Sequence, residues 1–354
     1  MPVATRRVLM KGAEALAEAA IRAGARAYFG YPITPQTEVA EYLARRLPEA
    51  GGVFLQAESE VSASNMIYGA AAAGVRVFTS SSSPGVSLMS EALSYLAGAE
   101  LPAVIVNVMR CGPGLGGVLA AQADYFQATK ASGHGGFRML VLAPASVQEM
   151  ADLTVLAFDL AERYRNPVMV LADGMVAQMM EPVELPEPAS NGRAAAPWAT
   201  TGALGRAPNI VTSLYLDPEK LERLNVALAA KYREMAEREI RFEEFAASRP
   251  YRLLVVAFGT VARIAKTAIA QLEEEGLAAA LFRPITLFPF PAEALRRVAE
   301  RAEKVLVVEM NQGQMVEDVD RALAGSRPIA FHGRSGGMTP APDEIAAVAR
   351  RELA

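Results

Sequence analysis

Glu60 stands at the head of a helix-length stretch that carries no other charge. Residues 61–75 read V-S-A-S-N-M-I-Y-G-A-A-A-A-G-V, and the next charge is Arg76. A carboxylate among small and apolar side chains loses solvation, which raises its pKa and suits it to proton exchange. The alternative is an ordinary acid in the first turn of a helix, held by the helix dipole, with Glu58 as its solvated neighbour. Taken alone, the stretch fits that second reading better. Three further segments change the balance.

Residues 30–35 (G-Y-P-I-T-P) offer the Thr34 hydroxyl, residues 79–85 (T-S-S-S-S-P-G) a run of serines, and Arg110 a guanidinium ahead of the loop C-G-P-G-L-G-G. Each has a plainer use. Thr34 before Pro35 makes a good helix cap and first-position pair. The serine run could be a capping turn, and Arg110 could pair with any surface acid, a contact that contributes little. The glycine-rich loop lacks the Lys-Ser/Thr ending of a phosphate loop, and Pro113 removes an amide donor. It is expected to be a flexible loop of close approach.

These segments follow short β-rich runs at residues 25–29, 53–56, 75–79 and 103–109, with further runs at 139–142 and 168–171. Most are apolar throughout, as strands buried on both faces are, and they alternate with Ala- and Leu-rich amphipathic segments. The pattern predicts an α/β fold with a mostly parallel sheet. Ligands of such sheets bind beyond the carboxyl ends of the strands, so the four polar segments would meet at one rim. The Pro-rich stretch 181–198 reads as a linker. A charged helix should follow, with Asp217 as cap and Pro218 in the first position, running to about Ala247. A second α/β region begins at Arg252.

At 354 residues two domains are expected. With 52% hydrophobic and 21% charged residues and a net charge of -4, nothing suggests a nucleic-acid surface. The single cysteine, Cys111, excludes an internal disulfide, a four-cysteine zinc site and an iron–sulfur cluster held by this chain alone. The two histidines, His134 and His332, are far apart in sequence. No apolar run reaches membrane-spanning length and the amino terminus has no signal-like core. The expectation is a cytoplasmic protein that binds neither membrane nor nucleic acid.

The motifs G-Y-P-I-T-P, Q-A-E-S-E-V-S-A-S-N-M, T-S-S-S-S-P-G and V-N-V-M-R with G-P-G-L-G resemble the α subunit of 2-oxoacid:ferredoxin oxidoreductases. The resemblance continues through A-Q-A-D-Y-F-Q-A, L-F-R-P-I-T-L-F-P-F-P and V-V-E-M-N-Q-G-Q-M, and so spans nearly the whole chain. It is strongest to the branched-chain, 2-oxoisovalerate type (3-methyl-2-oxobutanoate dehydrogenase). It implies a thiamine-diphosphate pyrimidine-binding domain at residues 1–185, a connecting segment at 186–250 and a transketolase C-terminal-like domain at 251–354.

The implied reaction turns a 2-oxoacid, coenzyme A and oxidised ferredoxin into acyl-CoA, CO₂ and reduced ferredoxin. Thiamine diphosphate would be shared with a β subunit that holds the diphosphate and Mg²⁺, and ferredoxin-like chains would carry iron–sulfur clusters. Glu60 matches the family's cofactor-activating glutamate. Thr34 and Arg110 match positions facing the substrate carboxylate, and Tyr31, Pro32 and Ile33 would wall the pyrimidine. The residues agree with that division of labour. The diphosphate and metal signature is approached only by Ala172-Asp173-Gly174 with Asn191, which lacks the first glycine and the spacing. Two departures stand out: Cys111 beside the arginine where glycine is expected, and Gly136 where an acid is usual. 2-Oxoglutarate or pyruvate as substrate, or a non-catalytic subunit of such a complex, are the alternatives.

Overall fold

The computed structural model describes residues 7–130, 133–189 and 196–354; Asn191 lies outside them. Among the described residues the larger sheet has seven strands. Their order is Thr286–Phe288, Leu140–Leu142, Pro167–Asp173, Ala103–Met109, Val77–Ser81, Ala27–Gly30 and Val53–Gln56. Every neighbouring pair is parallel except the first, in which Thr286–Phe288 runs antiparallel to Leu140–Leu142. All seven residues of Ala103–Met109 are buried, Asn107 among them. Strands covered on both faces read as continuous apolar runs, and that is why these runs stand out in the sequence.

A five-stranded sheet follows, in the order Ile329–Gly333, Lys304–Glu309, Leu253–Val256, Ala279–Pro284 and Phe242–Phe245, the last antiparallel to its neighbour. Val8–Lys11 pairs antiparallel with Met180–Val183 as a separate ribbon. The expected strands fall where the sequence placed them, with shifts of a residue or two at several ends.

Two expectations need correction. The charged helix is Pro218–Arg238, with Asp217 accepting from the Glu219 and Lys220 amides, but it stops well short of Ala247. Glu239 ends it: this carboxylate is buried and takes bonds from the Tyr164 hydroxyl, Arg163 and Arg241. The chain then enters the strand Phe242–Phe245, whose two glutamates suit its place at the edge of the sheet. Second, the Pro-rich stretch from residue 181 begins as part of the strand Met180–Val183 rather than as linker.

The two sheets share one apolar cluster, in which Tyr125 and Ile105 of the first half meet Phe258, Phe282 and Val307 of the second. Polar contacts cross the same boundary. Gln122 donates from its side-chain amide to the Phe258 carbonyl at 2.8 Å, and Asn311 donates to the Gln122 carbonyl at 2.7 Å. Arg283 grips Glu149 through two nitrogens at 2.7 and 2.6 Å.

Candidate active site

The loops at residues 31–36, 57–59, 82–83 and 110–119 all leave the carboxyl ends of parallel strands of the larger sheet. Glu60 opens the helix Glu60–Ala72, which Ser59 caps by accepting from the Ser62 amide at 3.1 Å. Ala63, Ser64, Ile67, Ala71 and Ala72 form the buried face of this helix. Such small residues let it lie close against the helix Pro84–Gly98.

Glu60 itself is 5% exposed, and among the described residues its carboxylate makes no side-chain hydrogen bond. It lies on Gly85: a Cβ built there would meet Glu60 Oε1 at 2.5 Å and would also strike Ser81 Oγ. Glu58, its neighbour, points away into solvent and accepts from the Ser62 hydroxyl at 2.7 Å.

The serine run divides its work. Ser80 donates to Gln36 at 2.6 Å and meets the buried Tyr28 hydroxyl at 2.7 Å. Burial pushes the Tyr28 phenol up to about 12, so it stays neutral. Thr79, Ser81 and Ser82 keep buried hydroxyls with no protein partner. Ser83 precedes the helix Pro84–Gly98 but makes no cap bond to it, because its side chain is engaged elsewhere. The Ser83 hydroxyl donates to Asp124 at 2.6 Å and accepts from the Arg110 amide at 3.0 Å.

Arg110 is 7% exposed. Its Nη1 donates to the Thr34 carbonyl at 3.1 Å and its Nη2 to the Leu115 carbonyl at 3.1 Å, while Nε is buried with no partner. Arg110 and Thr34 are therefore brought together, and a surface pairing for Arg110 is excluded by its burial. Thr34 does not cap a helix: the next helix starts at Thr37 behind Gln36, and Thr34 is exposed. Tyr31, 37% exposed, and the exposed Pro32 share that rim with the half-buried Ile33. The glycine-rich loop folds back over the arginine, with Leu115 85% exposed at its tip.

Glu60 and Arg110 touch the same short turn, Glu60 at Gly85 and Arg110 at Ser83. Sequence reasoning missed Asn107 and Asp124, which also hold that turn. The available signal was Asn107, a lone amide in the apolar run A-V-I-V-N-V-M. Burial raises the Asp124 carboxyl, although bonds from Ser83 and Asn107 and the Arg110 charge partly offset it.

Beside the turn lies a cleft of about 620 Å³, between Ser83, Cys111 and Asp124 of the first half and Asn311, Gln314 and Ser335 of the second. Cys111 is buried in its wall. Gly136 has φ 72°, a conformation that favours glycine over the expected acid.

Asp173, the acid of the sequence Ala172-Asp173-Gly174, is engaged within the fold. Its Oδ1 accepts from the Met175 and Val176 amides and from the Thr260 hydroxyl, and its Oδ2 from the Thr260 amide. Protein donors thus occupy both oxygens. Among the described residues no group of three or more His, Cys, Asp or Glu side chains converges as a metal site would require, and no helix is long and apolar enough to cross a membrane.

Residues 18–221 match the family described as pyruvate flavodoxin/ferredoxin oxidoreductase, thiamine diphosphate-binding. Residues 252–345 match pyruvate:ferredoxin oxidoreductase core domain II. The ketoisovalerate oxidoreductase subunit VorB of Methanothermobacter marburgensis is 49% identical over 329 residues, 93% of each chain. The 2-oxoglutarate synthase subunit KorA of Archaeoglobus fulgidus is 41% identical over 323 residues, 88% of this chain and 90% of that one. Among solved structures, the 2-oxoglutarate:ferredoxin oxidoreductase of Magnetococcus marinus superposes with a TM-score of 0.89 at 27% identity. That match covers 99% of this chain and 66% of the other, so the chain spans about two thirds of that relative. A split-gene transketolase, at 15% identity and a TM-score of 0.59, shares the fold. The chain belongs to the 2-oxoacid:ferredoxin oxidoreductase family, as a subunit that carries its thiamine-diphosphate-binding domain and core domain II.

Proposed function

We propose that this chain is the catalytic α subunit of a multi-chain, CoA-dependent 2-oxoacid:ferredoxin oxidoreductase, with 2-oxoisovalerate or another branched-chain acid as preferred substrate. The observation that carries this reading is Glu60, 5% exposed at the carboxyl rim of a parallel sheet, with no hydrogen-bond partner for its carboxylate among the described residues. A hydrogen bond to a charged group contributes about 1.5–3 kcal/mol, so a ligand that supplies a donor is favoured there.

The aminopyrimidine of thiamine diphosphate fits. The unpartnered Ser81 and Ser82 hydroxyls lie on the adjoining turn, and Gly85 lets the carboxylate lie close against that turn. When bound, thiamine diphosphate supplies the carbon nucleophile and the electron sink. Glu60 holds a proton against the pyrimidine ring, and Tyr31, Pro32 and Ile33 form the wall beside it. Arg110 holds the substrate carboxylate through N–H groups that are not committed to the Thr34 and Leu115 carbonyls, and the Thr34 hydroxyl donates alongside.

The partner chains complete the site. Asp173 is saturated by protein donors, so a β subunit holds the diphosphate and Mg²⁺. One cysteine is too few for a cluster, so ferredoxin-like chains carry the iron–sulfur centres and pass electrons to external ferredoxin. The branched-chain preference rests on the 49% identity to the ketoisovalerate relative against 41% to the 2-oxoglutarate one.

The test is co-purification of the complex from its source, assayed with CoA, a dye acceptor and a panel of 2-oxoacids, beside the Glu60→Gln assembly. We expect the highest kcat/KM for 2-oxoisovalerate. Turnover and cofactor C2 proton exchange should fall about a hundred- to ten-thousandfold in the variant. Preference for 2-oxoglutarate would replace the substrate assignment. Full activity in Glu60→Gln would remove the catalytic one.

A further inference from the structure

Ser83 adopts φ 28° and ψ −87°, positive-φ backbone that a residue with a side chain rarely takes. Such a conformation persists only when its surroundings over-determine it. Here each polar atom of Ser83 is held. Its amide donates to Asn107 Oδ1 at 3.1 Å, its hydroxyl to Asp124 Oδ2 at 2.6 Å, and its carbonyl accepts from Gln127 at 3.1 Å. Asn107 closes the ring by donating to the same Asp124 oxygen at 3.1 Å.

Asp124 is 8% exposed and comes from the loop before the short helix Tyr125–Thr129, on a different part of the chain from the turn it fixes. The turn carries both halves of the chemistry proposed above. The Arg110 amide docks on the Ser83 hydroxyl, and two residues on, Gly85 lies under the Glu60 carboxylate.

We propose that Asp124, with Asn107, is a positioning residue for the substrate-carboxylate site: it locks the Ser83 turn and thereby sets where Arg110 stands relative to Glu60. This inference rests on the assignment of Arg110 to the 2-oxoacid carboxylate. Asp124 touches neither substrate nor cofactor in this role. Replacing it by Asn keeps the volume but exchanges the carboxylate oxygen that accepts from both the Ser83 hydroxyl and the Asn107 amide for a weaker neutral acceptor, and it removes the charge facing Arg110. The Ser83 turn is then free to relax to ordinary backbone, carrying the Arg110 amide with it.

The experiment uses the assembled complex and compares wild type with Asp124→Asn, Asn107→Ser and Arg110→Ala. Inhibition is measured with a branched 2-hydroxy acid, which carries the carboxylate, and with the matching uncharged methyl ketone. Asp124→Asn should raise KM for 2-oxoisovalerate and weaken the hydroxy acid about tenfold or more, the scale of one charge-assisted hydrogen bond. Ketone inhibition and bound thiamine diphosphate should stay at wild-type levels. A loosened fold would weaken both inhibitors alike, and that outcome overturns the proposal, as does an unchanged KM. If Asp124→Asn does not assemble, Asn107→Ser is read by the same criterion. Should Arg110→Ala itself retain full carboxylate selectivity, the assignment of Arg110 falls, and this inference falls with it. Loss in Arg110→Ala without loss in Asp124→Asn sinks this inference alone.

Discussion

Gly85→Ala separates the placement of the Glu60 carboxylate from its chemistry, because it adds one methyl group and leaves both acid and cofactor untouched. The new Cβ would lie 2.1 Å from Ser81 Oγ, 2.5 Å from Glu60 Oε1 and 3.1 Å from its Cδ. Non-bonded heavy atoms settle at about 3.5–4.0 Å, so the carboxylate must retreat by roughly 1 Å. The backbone at Gly85 does not have positive φ, and the obstructing atoms belong to side chains, the Ser81 hydroxyl, which must change rotamer, and the Glu60 carboxylate. The folding cost should therefore stay within the about 1–3 kcal/mol typical of overpacking. Catalysis is far less forgiving. A misplacement of about 1 Å can cost on the order of a hundredfold in rate. The assay is turnover of 2-oxoisovalerate by the assembled complex, together with deuterium exchange at the cofactor's C2 position, against the melting temperature of the purified chain. Gly69→Ala is the control. Nothing lies within 4 Å of a Cβ at that exposed helical position, and replacing glycine inside a helix should stabilise by up to about 1 kcal/mol. Wild-type exchange and turnover in Gly85→Ala would refute the claim that the position of this carboxylate governs the reaction.

Arg110→Ala should lower kcat/KM about ten- to a hundredfold for every 2-oxoacid, since all share the carboxylate. Cys111→Gly should instead shift preference among side chains by about 1–3 kcal/mol, read from steady-state kinetics on pyruvate, 2-oxoisovalerate and 2-oxoglutarate. The isolated chain should bind thiamine diphosphate weakly and without dependence on Mg²⁺, as calorimetry would report; tight Mg²⁺-dependent binding would mean that a diphosphate anchor exists on this chain. Burial raises the Glu149 carboxyl, but the Arg283 hydrogen bonds and charge and the Ala145 amide more than offset this, so its pKa is lowered from the usual 4.5. The folded chain then binds fewer protons than the unfolded one just below pH 4.5, so stability from this pair is present above that pH and lost as pH falls through the depressed pKa. Melting curves of Glu149→Gln should lose that part of the acid dependence, and identical slopes would deny the pair its role.

The sequence exposed what depends on local pattern and hid what depends on distant pairing. Val53–Gln56 and Ala103–Met109 are legible to the residue because short β-rich runs end in polar loops. Met180–Val183 is not, since its reason to be extended is the antiparallel partner Val8–Lys11, far away in the chain, and its own residues M-E-P-V read as linker. The same division holds in the site. Glu60 declares itself by the absence of neighbouring charge. Thr34 looked equally able to cap a helix, and only the fold shows its carbonyl under Arg110. Asp124 carries no signal of its own, because what distinguishes it is a hydrogen bond to Ser83 across 41 positions of sequence.

The strand Thr286–Phe288 has a practical consequence for anyone who cuts this protein at its apparent seam. It belongs by sequence to the second half yet completes the edge of the first sheet beside Leu140–Leu142. Ending the chain near residue 250 would strip that edge bare and leave Asp173, Gln122 and Tyr125 without the Thr260, Phe258 and Asp318 partners that neutralise or satisfy them. An uncovered strand edge is a template for self-association, and buried polar groups without partners destabilise what remains. The amino-terminal half expressed alone should accumulate as aggregate. Swapping cofactor-binding halves between relatives should likewise fail unless this strand travels with its sheet.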